Sequence, residues 1–161
     1  MKRLFCALLA ASLLLSLLSG CGQELKEPVI FYYRKNAYEE KMVSPIAGEE
    51  REVAGHRDNL KYLLTFYLMG PISKDLVSPL PRGTLLYSIT QEDTDLTIEL
   101  SNTSALLTDS EFSLACACLS MTCMGLTNAE NVAIVSGSRS LTISQDNLLL
   151  NDTVTPEETA K

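Results

Sequence analysis

The stretch Thr108–Leu126, TDSEFSLACACLSMTCMGL, reads as one helix that is apolar nearly all the way round. A helix without a broad polar face has to be covered on most sides, so this one must lie in the middle of whatever the chain folds into. Thr108 is placed to cap its start. Glu111, three residues on, completes a capping box, and Asp109 and Glu111 suit the positive end of the helix dipole. Phe112, Ala115, Cys116, Leu119 and Cys123 recur at helical spacing on one face, and Leu114, Cys118 and Met121 on another. The small residues Ala115, Cys116, Ala117 and Cys118 let such a helix lie close on a sheet.

The flanking segments supply sheet-forming patterns. Val29 to Tyr33 is β-branched and aromatic, a strand. Pro45 limits Met42 to Ile46 to a short edge strand, Gly48 punctuates, and Glu49 to Ala54 forms another short extended piece. Asp58 is the expected N-cap of an amphipathic helix that places Leu60, Leu63, Leu64, Tyr67 and Leu68 inward and stops at Gly70-Pro71. Ile72 to Pro81 reads as an irregular loop. Thr84 to Gln91 sets Leu85, Tyr87 and Ile89 against Leu86, Ser88 and Thr90. After the turn Glu92-Asp93-Thr94, the segment Asp95 to Ser101 alternates cleanly, so the two form an antiparallel hairpin. Beyond the central helix, Val132 to Val135 is a buried strand, and Gly137-Ser138 turns the chain into Leu141 to Ile143. Hairpin, helix and strand imply a right-handed crossover. The whole predicts an α+β domain over 28–145: two helices on one face of a small mixed sheet, an α-β-β-α-β core with short N-terminal strands. Residues 146–161 lose periodicity and read as a flexible C-terminal tail.

The first residues have a different character. Met1-Lys2-Arg3 is a positive start, Leu4 to Leu18 is an apolar run of about fifteen residues, and Leu18-Ser19-Gly20-Cys21 ends it. Small residues before a cysteine at this distance resemble the lipobox of bacterial lipoproteins. The resemblance implies a signal peptide over 1–20, diacylglyceryl modification of the Cys21 thiol, a lipidated tether over 21–27 and attachment to the outer face of the cell membrane. The 161 residues carry Lys+Arg 13 against Asp+Glu 20, a net charge of −7, which loss of Lys2 and Arg3 takes to roughly −9. An acidic surface argues against nucleic acid and against electrostatic attachment to anionic lipid heads, leaving acyl chains as the membrane contact.

Chemistry-bearing residues are sparse and scattered. Cys116, Cys118 and Cys123 share one helix, where their spacing lets no pair bridge, and C-x-C-x4-C on a continuous helix converges poorly on a metal. They read as buried thiols acting as small hydrophobes. His56, the only histidine, stands beside Arg57 and Asp58 at a helix entry, with no oriented partner or nucleophile in view. The carboxylate pairs Glu39-Glu40, Glu49-Glu50, Glu92-Asp93 and Glu157-Glu158 fall at turns and ends, as solvated loops do. Tyr32, Tyr33, Tyr62, Tyr67 and Tyr87 are scattered, with core packing expected for most. No catalytic residue, cofactor site or metal ligand is expected, and the expectation is a protein that is not an enzyme.

Several pieces in order resemble the GerMN domain of sporulation and spore-germination lipoproteins. They are the aromatic strand Val29 to Tyr33, Arg51 to Val53, and a helix ending Leu68-Met69-Gly70-Pro71. Then come Leu76, Ser78, Leu80-Pro81-Arg82-Gly83-Thr84-Leu85 and Ile98-Glu99-Leu100-Ser101. The likeness spans roughly Pro28 to Ser144 in a single copy, without the usual glycine in the hairpin turn. It implies a fold related to ring-building domains and a role in assembling larger envelope complexes, with other envelope or sporulation-complex proteins as partners and a homo-oligomer compatible with that role. The alternative is a ligand-binding or sensory lipoprotein holding a small molecule or cell-wall fragment in a groove beside the sheet, which requires a pocket lined by Tyr and Leu with a few converging polar groups.

Overall fold

In a computed structural model, residues 28–36, 44–53 and 55–148 are described. The leader expected over 1–20, the tether expected over 21–27 with Cys21, and residues 149–161 lie outside them, as do 37–43 and Ala54.

Strand β1, Pro28–Lys35, buries Val29, Phe31 and Tyr33 and turns Pro28 and Ile30 outward, the alternation its β-branched and aromatic residues favour. Strand β2, Ile46–Glu52, pairs with it antiparallel along its length, Tyr32 opposite Gly48. Of the piece expected over Met42 to Ile46 only Ile46 belongs to β2, with Met42 and Val43 outside the described residues, and the strand runs on through Gly48 rather than stopping at it. Gly48 does not break it; a Cβ there would lie 2.7 Å from the Ile30 side chain, so the glycine makes room for its neighbour across the ladder. Helix α1, Leu60–Leu68, follows. Its cap is Asn59 rather than Asp58: the Asn59 side chain accepts the Tyr62 N–H at 3.0 Å. Gly70, at φ 94°, ends it as expected. The loop beyond contains a two-residue strand β3, Leu76–Val77, which completes an antiparallel sheet of order β2-β1-β3.

The second sheet has the order β4-β5-β6-β7. Strands β4 (Leu86–Glu92) and β5 (Asp95–Leu100) form the expected hairpin. Its turn needs one left-handed residue, and Asp93 at φ 52° supplies it where glycine is missing. In β5, Leu96, Ile98 and Leu100 are buried and the residues between them exposed, the strict alternation of the sequence. In β4 the alternation fails. The register shifts between Leu86 and Ser88, one extra residue inserts, and Leu86 and Ile89 both point inward while Leu85 and Tyr87 stay exposed. A 3-10 turn, Asn102–Leu106, leads into helix α2, Asp109–Leu126, whose capping box between Thr108 and Glu111 is fully formed. After it come β6 (Asn131–Ser136), parallel to β5, then β7 (Arg139–Ser144), antiparallel to β6, and one helical turn α3, Gln145–Leu148. The crossover connection from β5 to β6 is thus α2.

The class is α+β, as the sequence indicates, but the strands divide between two sheets instead of forming one. The cause lies in α2. Eight of its residues are buried, including Phe112, Cys118, Ser120 and Cys123, which point in different directions around the axis. A single sheet covers only one face of a helix; α2 packs against β1 of the first sheet and against β6 and β7 of the second. Helix side chains also hydrogen-bond the backbone of β1. The Tyr32 N–H donates to the Thr122 hydroxyl at 2.9 Å, and Thr122 in turn donates to the Cys118 carbonyl at 2.9 Å. The Tyr67 hydroxyl of α1 donates to the Tyr32 carbonyl at 3.1 Å. Both backbone groups of Tyr32 that face away from β2 are thereby satisfied by helix side chains, which closes an edge that could otherwise pair with another chain.

Candidate functional site

The sequence pieces that carry the family resemblance meet in space at two places. The first is a clasp behind α1. Arg51, 7% exposed, donates from Nε to Glu49 Oε2 at 2.7 Å and from Nη2 to the Gly70 carbonyl at 2.8 Å, with its guanidinium over the Phe66 ring. Glu49 accepts the backbone N–H groups of Ile72 and Ser73, at 3.0 and 2.7 Å to Oε1. One buried ion pair therefore holds the carbonyl at the end of α1 and the first donors of the loop beyond Pro71. Glu49, whose position in the sequence reads as a solvated loop, is nearly enclosed instead, its side chain 10% exposed. The signal missed there is the two-residue spacing of Glu49 and Arg51, which puts both on the same face of β2.

The second place is a run of hydroxyls behind the second sheet. Thr84 Oγ1 donates to the Pro81 carbonyl at 2.7 Å and lies 2.7 Å from Thr103 Oγ1. Ser101 accepts the Leu85 N–H on its hydroxyl, and its carbonyl receives the Ser136 hydroxyl at 2.6 Å. Arg139 extends the network, donating from Nη1 to the carbonyls of Ser104 and Leu107, both at 2.8 Å, with its guanidinium 4.2 Å from the Phe112 ring centre. Arg139 pins the segment before α2 to β7, and nothing in its sequence neighbourhood announced that role. Pro81, Thr84 and Ser101 are thus joints of the framework, the architectural reading their residue types suggested.

The clasp has a consequence at the surface. It fixes the backbone on which Met69 and Ile72 stand, and these side chains are 79% and 76% exposed. On the solvent side of α1, the ring of His56 stacks on Tyr62 at 4.1 Å, and Tyr62 lies parallel to Phe66 at 6.2 Å. Large apolar and aromatic groups held on a rigid support are the composition of an interaction surface. The tyrosines divide: Tyr33 and Tyr67 are core residues stacked at 4.8 Å, Tyr32 is half-buried, and Tyr62 and Tyr87 are exposed.

A small cleft of about 270 Å³ lies at the other end of the first sheet, between Arg34, the loop Ser78–Pro81, Leu106, Leu107 and the first turns of α2. No tyrosine is among the lining residues. The cleft is therefore more aliphatic and smaller than the groove the ligand-binding alternative calls for.

Cys116, Cys118 and Cys123 are buried and unbridged, as expected. Burial pushes each thiol up to about 12, so they remain protonated and unreactive at neutral pH. Among the described residues no group of three or more His, Cys, Asp or Glu side chains could hold a metal ion, and no helix is long and apolar enough to cross a membrane. The lipidation residue Cys21 is outside the described residues.

Burial would raise the Glu49 carboxyl, but the N–H donors of Ser73 and Ile72 and the Arg51 guanidinium outweigh it and hold it below its ordinary 4.5. Glu111 is likewise lowered, by hydrogen bonds from the Thr108 backbone and hydroxyl. A carboxyl depressed in the folded state stabilises above its ordinary pKa, and that contribution is lost as pH falls through the lowered value. Stability is therefore expected to be flat above pH 4.5 as far as these groups are concerned and to decline below it. Urea melts at a series of pH values check this; Glu49→Gln should remove part of the pH slope, and an unchanged slope would contradict the assignment.

No protein-family model matches the chain, and no curated protein sequence matches it. Solved structures resemble it, among them these two. A candidate lipoprotein from Clostridium perfringens is 19% identical over 78% of this chain and 93% of its own, with a TM-score of 0.44. The tandem GerMN domains of the sporulation protein GerM from Bacillus subtilis are 13% identical, cover 71% of this chain, and superpose with a TM-score of 0.51. The match takes in 40% of that tandem chain. The second overlap supports a GerMN-like fold, and at that identity it speaks for fold alone.

Proposed function

We propose that this GerMN-like body is a non-enzymatic interaction and assembly module, fixed to the extracytoplasmic face of the cell membrane by a diacylglyceryl group on Cys21 and working in sporulation or spore germination. Its partners are other envelope or sporulation-complex proteins, with self-association compatible, and neither nucleic acid nor a cofactor is needed. The observation that carries the reading is the pair of exposed apolar side chains, Met69 and Ile72, mounted on a loop that the buried Glu49–Arg51 pair immobilises. A large apolar side chain left in water on a rigid backbone has little to offer folding and much to offer a partner. Fold similarity to GerM supports the sporulation part by analogy.

Two substitutions test the parts separately. Cys21→Ala is expected to remove the acyl chains and release the protein from the membrane fraction; retained acylation would contradict the anchor. Met69→Asp with Ile72→Asp, introduced at the native locus, should keep protein level and thermal stability within wild-type range while reproducing the sporulation or germination defect of a gene deletion. A deletion with normal heat-resistant spore yield and normal germination would remove the sporulation part. A second reading, recognition of a ligand smaller and more aliphatic than a Tyr-lined groove would take, rests on the cleft at Arg34.

A further inference from the structure

We infer that the cleft beside Arg34 binds a carboxylate carried on a short apolar body. The inference deepens the ligand-recognition reading, on which it rests, and is independent of the anchoring and assembly proposals. Three features of the lining support it. Arg34 is half-buried, and its Nε is shut off from solvent without a hydrogen-bond acceptor among the described residues. Buried polar donors are nearly always satisfied in folded proteins, so an orphan in a half-buried guanidinium marks a side chain whose hydrogen bonding the fold itself does not complete. Glu111, the carboxylate that shares the cleft, does not complete it either. Its Oε2 is turned to the N–H and the hydroxyl of Thr108, both at 2.9 Å, as part of the α2 cap.

The other lining groups are apolar or already committed. The Ser78 hydroxyl donates to the Leu80 carbonyl at 3.0 Å. Pro79 and Pro81 have no N–H to offer, and Leu80, Leu106, Leu107 and Leu114 are aliphatic. Among the lining side chains, Arg34 is left as the donor available to an incoming group. A guanidinium presents a planar fork that matches a carboxylate with two parallel hydrogen bonds, and an aliphatic surround strengthens such a pair by lowering the local dielectric. A volume of about 270 Å³ falls just below the range of roughly 300–1,000 Å³ typical of drug-sized ligands, so the apolar body is small, the size of one branched side chain. The molecule as a whole carries a net charge of −7 and Glu111 shares the cleft within reach of the Arg34 charge, so one local cation is the deciding element for an anion. Two sources share this chemistry: a free short-chain acid and the C-terminal residue of a peptide.

The test is a ligand-observed NMR titration of the full-length chain. Its probes are N-acetyl-leucine, a pentapeptide ending in leucine with a free carboxyl group, and the amide of each. Binding of either acid at least about tenfold tighter than its amide supports the inference, and the tighter acid identifies the source. Arg34→Gln should abolish the preference for acid over amide, and Arg34→Lys should retain part of it. Acids and amides binding alike would leave an apolar ligand site but overturn the carboxylate assignment. No binding of any probe would overturn the assignment and remove the support the cleft lends to ligand recognition. If Arg34→Gln lowers the melting temperature, Leu106→Asp serves in its place. Leu106 is 78% exposed on the rim, so its replacement spares the core and sets a negative charge at the mouth. It should weaken the acids about tenfold or more and the amides less, and equal weakening would overturn the proposal.

Discussion

Glu49→Ala should lower the stability of the fold by about 3–5 kcal/mol, the usual consequence of removing one partner from a buried ion pair. Arg51 is 7% exposed and the Glu49 side chain 10%, so the guanidinium left behind could not turn to water for compensation. The backbone donors of Ile72 and Ser73 would lose their acceptor at the same time. Chemical denaturation measures the effect as a fall in the urea midpoint at constant slope. The double variant Glu49→Ala, Arg51→Met should recover part of the loss, because the second change removes the stranded charge. Double-variant stability equal to the sum of the two single losses would mean that the pair does not act as a unit.

Tyr67→Ala should have a comparable effect, about 3–5 kcal/mol, from the cavity a lost aromatic ring leaves in a filled core. Tyr67 is 1% exposed and lies flat on Tyr33, with planes 4° apart. Tyr67→Phe separates packing from hydrogen bonding. It keeps the ring but leaves the Tyr32 carbonyl without the hydroxyl donor, for an expected loss of about 1–3 kcal/mol. Exposed Tyr87→Phe should change stability by less than about 0.5 kcal/mol in the same assay. If Tyr67→Phe were as silent as Tyr87→Phe, the closing of the β1 edge by a helix side chain would contribute nothing.

Which parts of this structure the sequence revealed follows from the range of the interactions involved. The α2 cap, the stop at Gly70 and the alternation of β5 are set by residues within a few positions of each other, and all three read correctly. Apart from the α1 cap, which lies one residue on at Asn59 instead of Asp58, the sequence misleads where a distant partner decides the outcome. Gly48 looks like a break until β1 is laid beside it, with Tyr32 opposite and the Ile30 side chain crowding it diagonally. The β4 alternation is interrupted by a bulge whose cause is its pairing with β5. The division into two sheets follows from the need to cover a helix on more than one side. The all-round apolarity of α2 implied that need without saying what would meet it. At the candidate site the contrast is sharper. Arg51, Gly70, Thr84 and Ser101 stood out as a pattern in the chain, but only their meeting in space explains why an arginine must precede a helix that ends in glycine. Arg34, an unremarkable cation at the end of a strand, gains significance solely from the cleft it lines.

If the molecule works through the surface its internal clasps hold in place, Ile72 lies against a partner in the cell. The most direct measurement replaces Ile72 with a photo-crosslinking amino acid in the full-length chain, expressed in its own host and irradiated in intact cells. The result expected is a covalent adduct of discrete mass, with a second copy or another envelope protein, that disappears when Met69→Asp is added while the protein level stays the same. Adducts no different from those formed at a solvent-facing control such as Lys61, or an adduct indifferent to Met69→Asp, would contradict it.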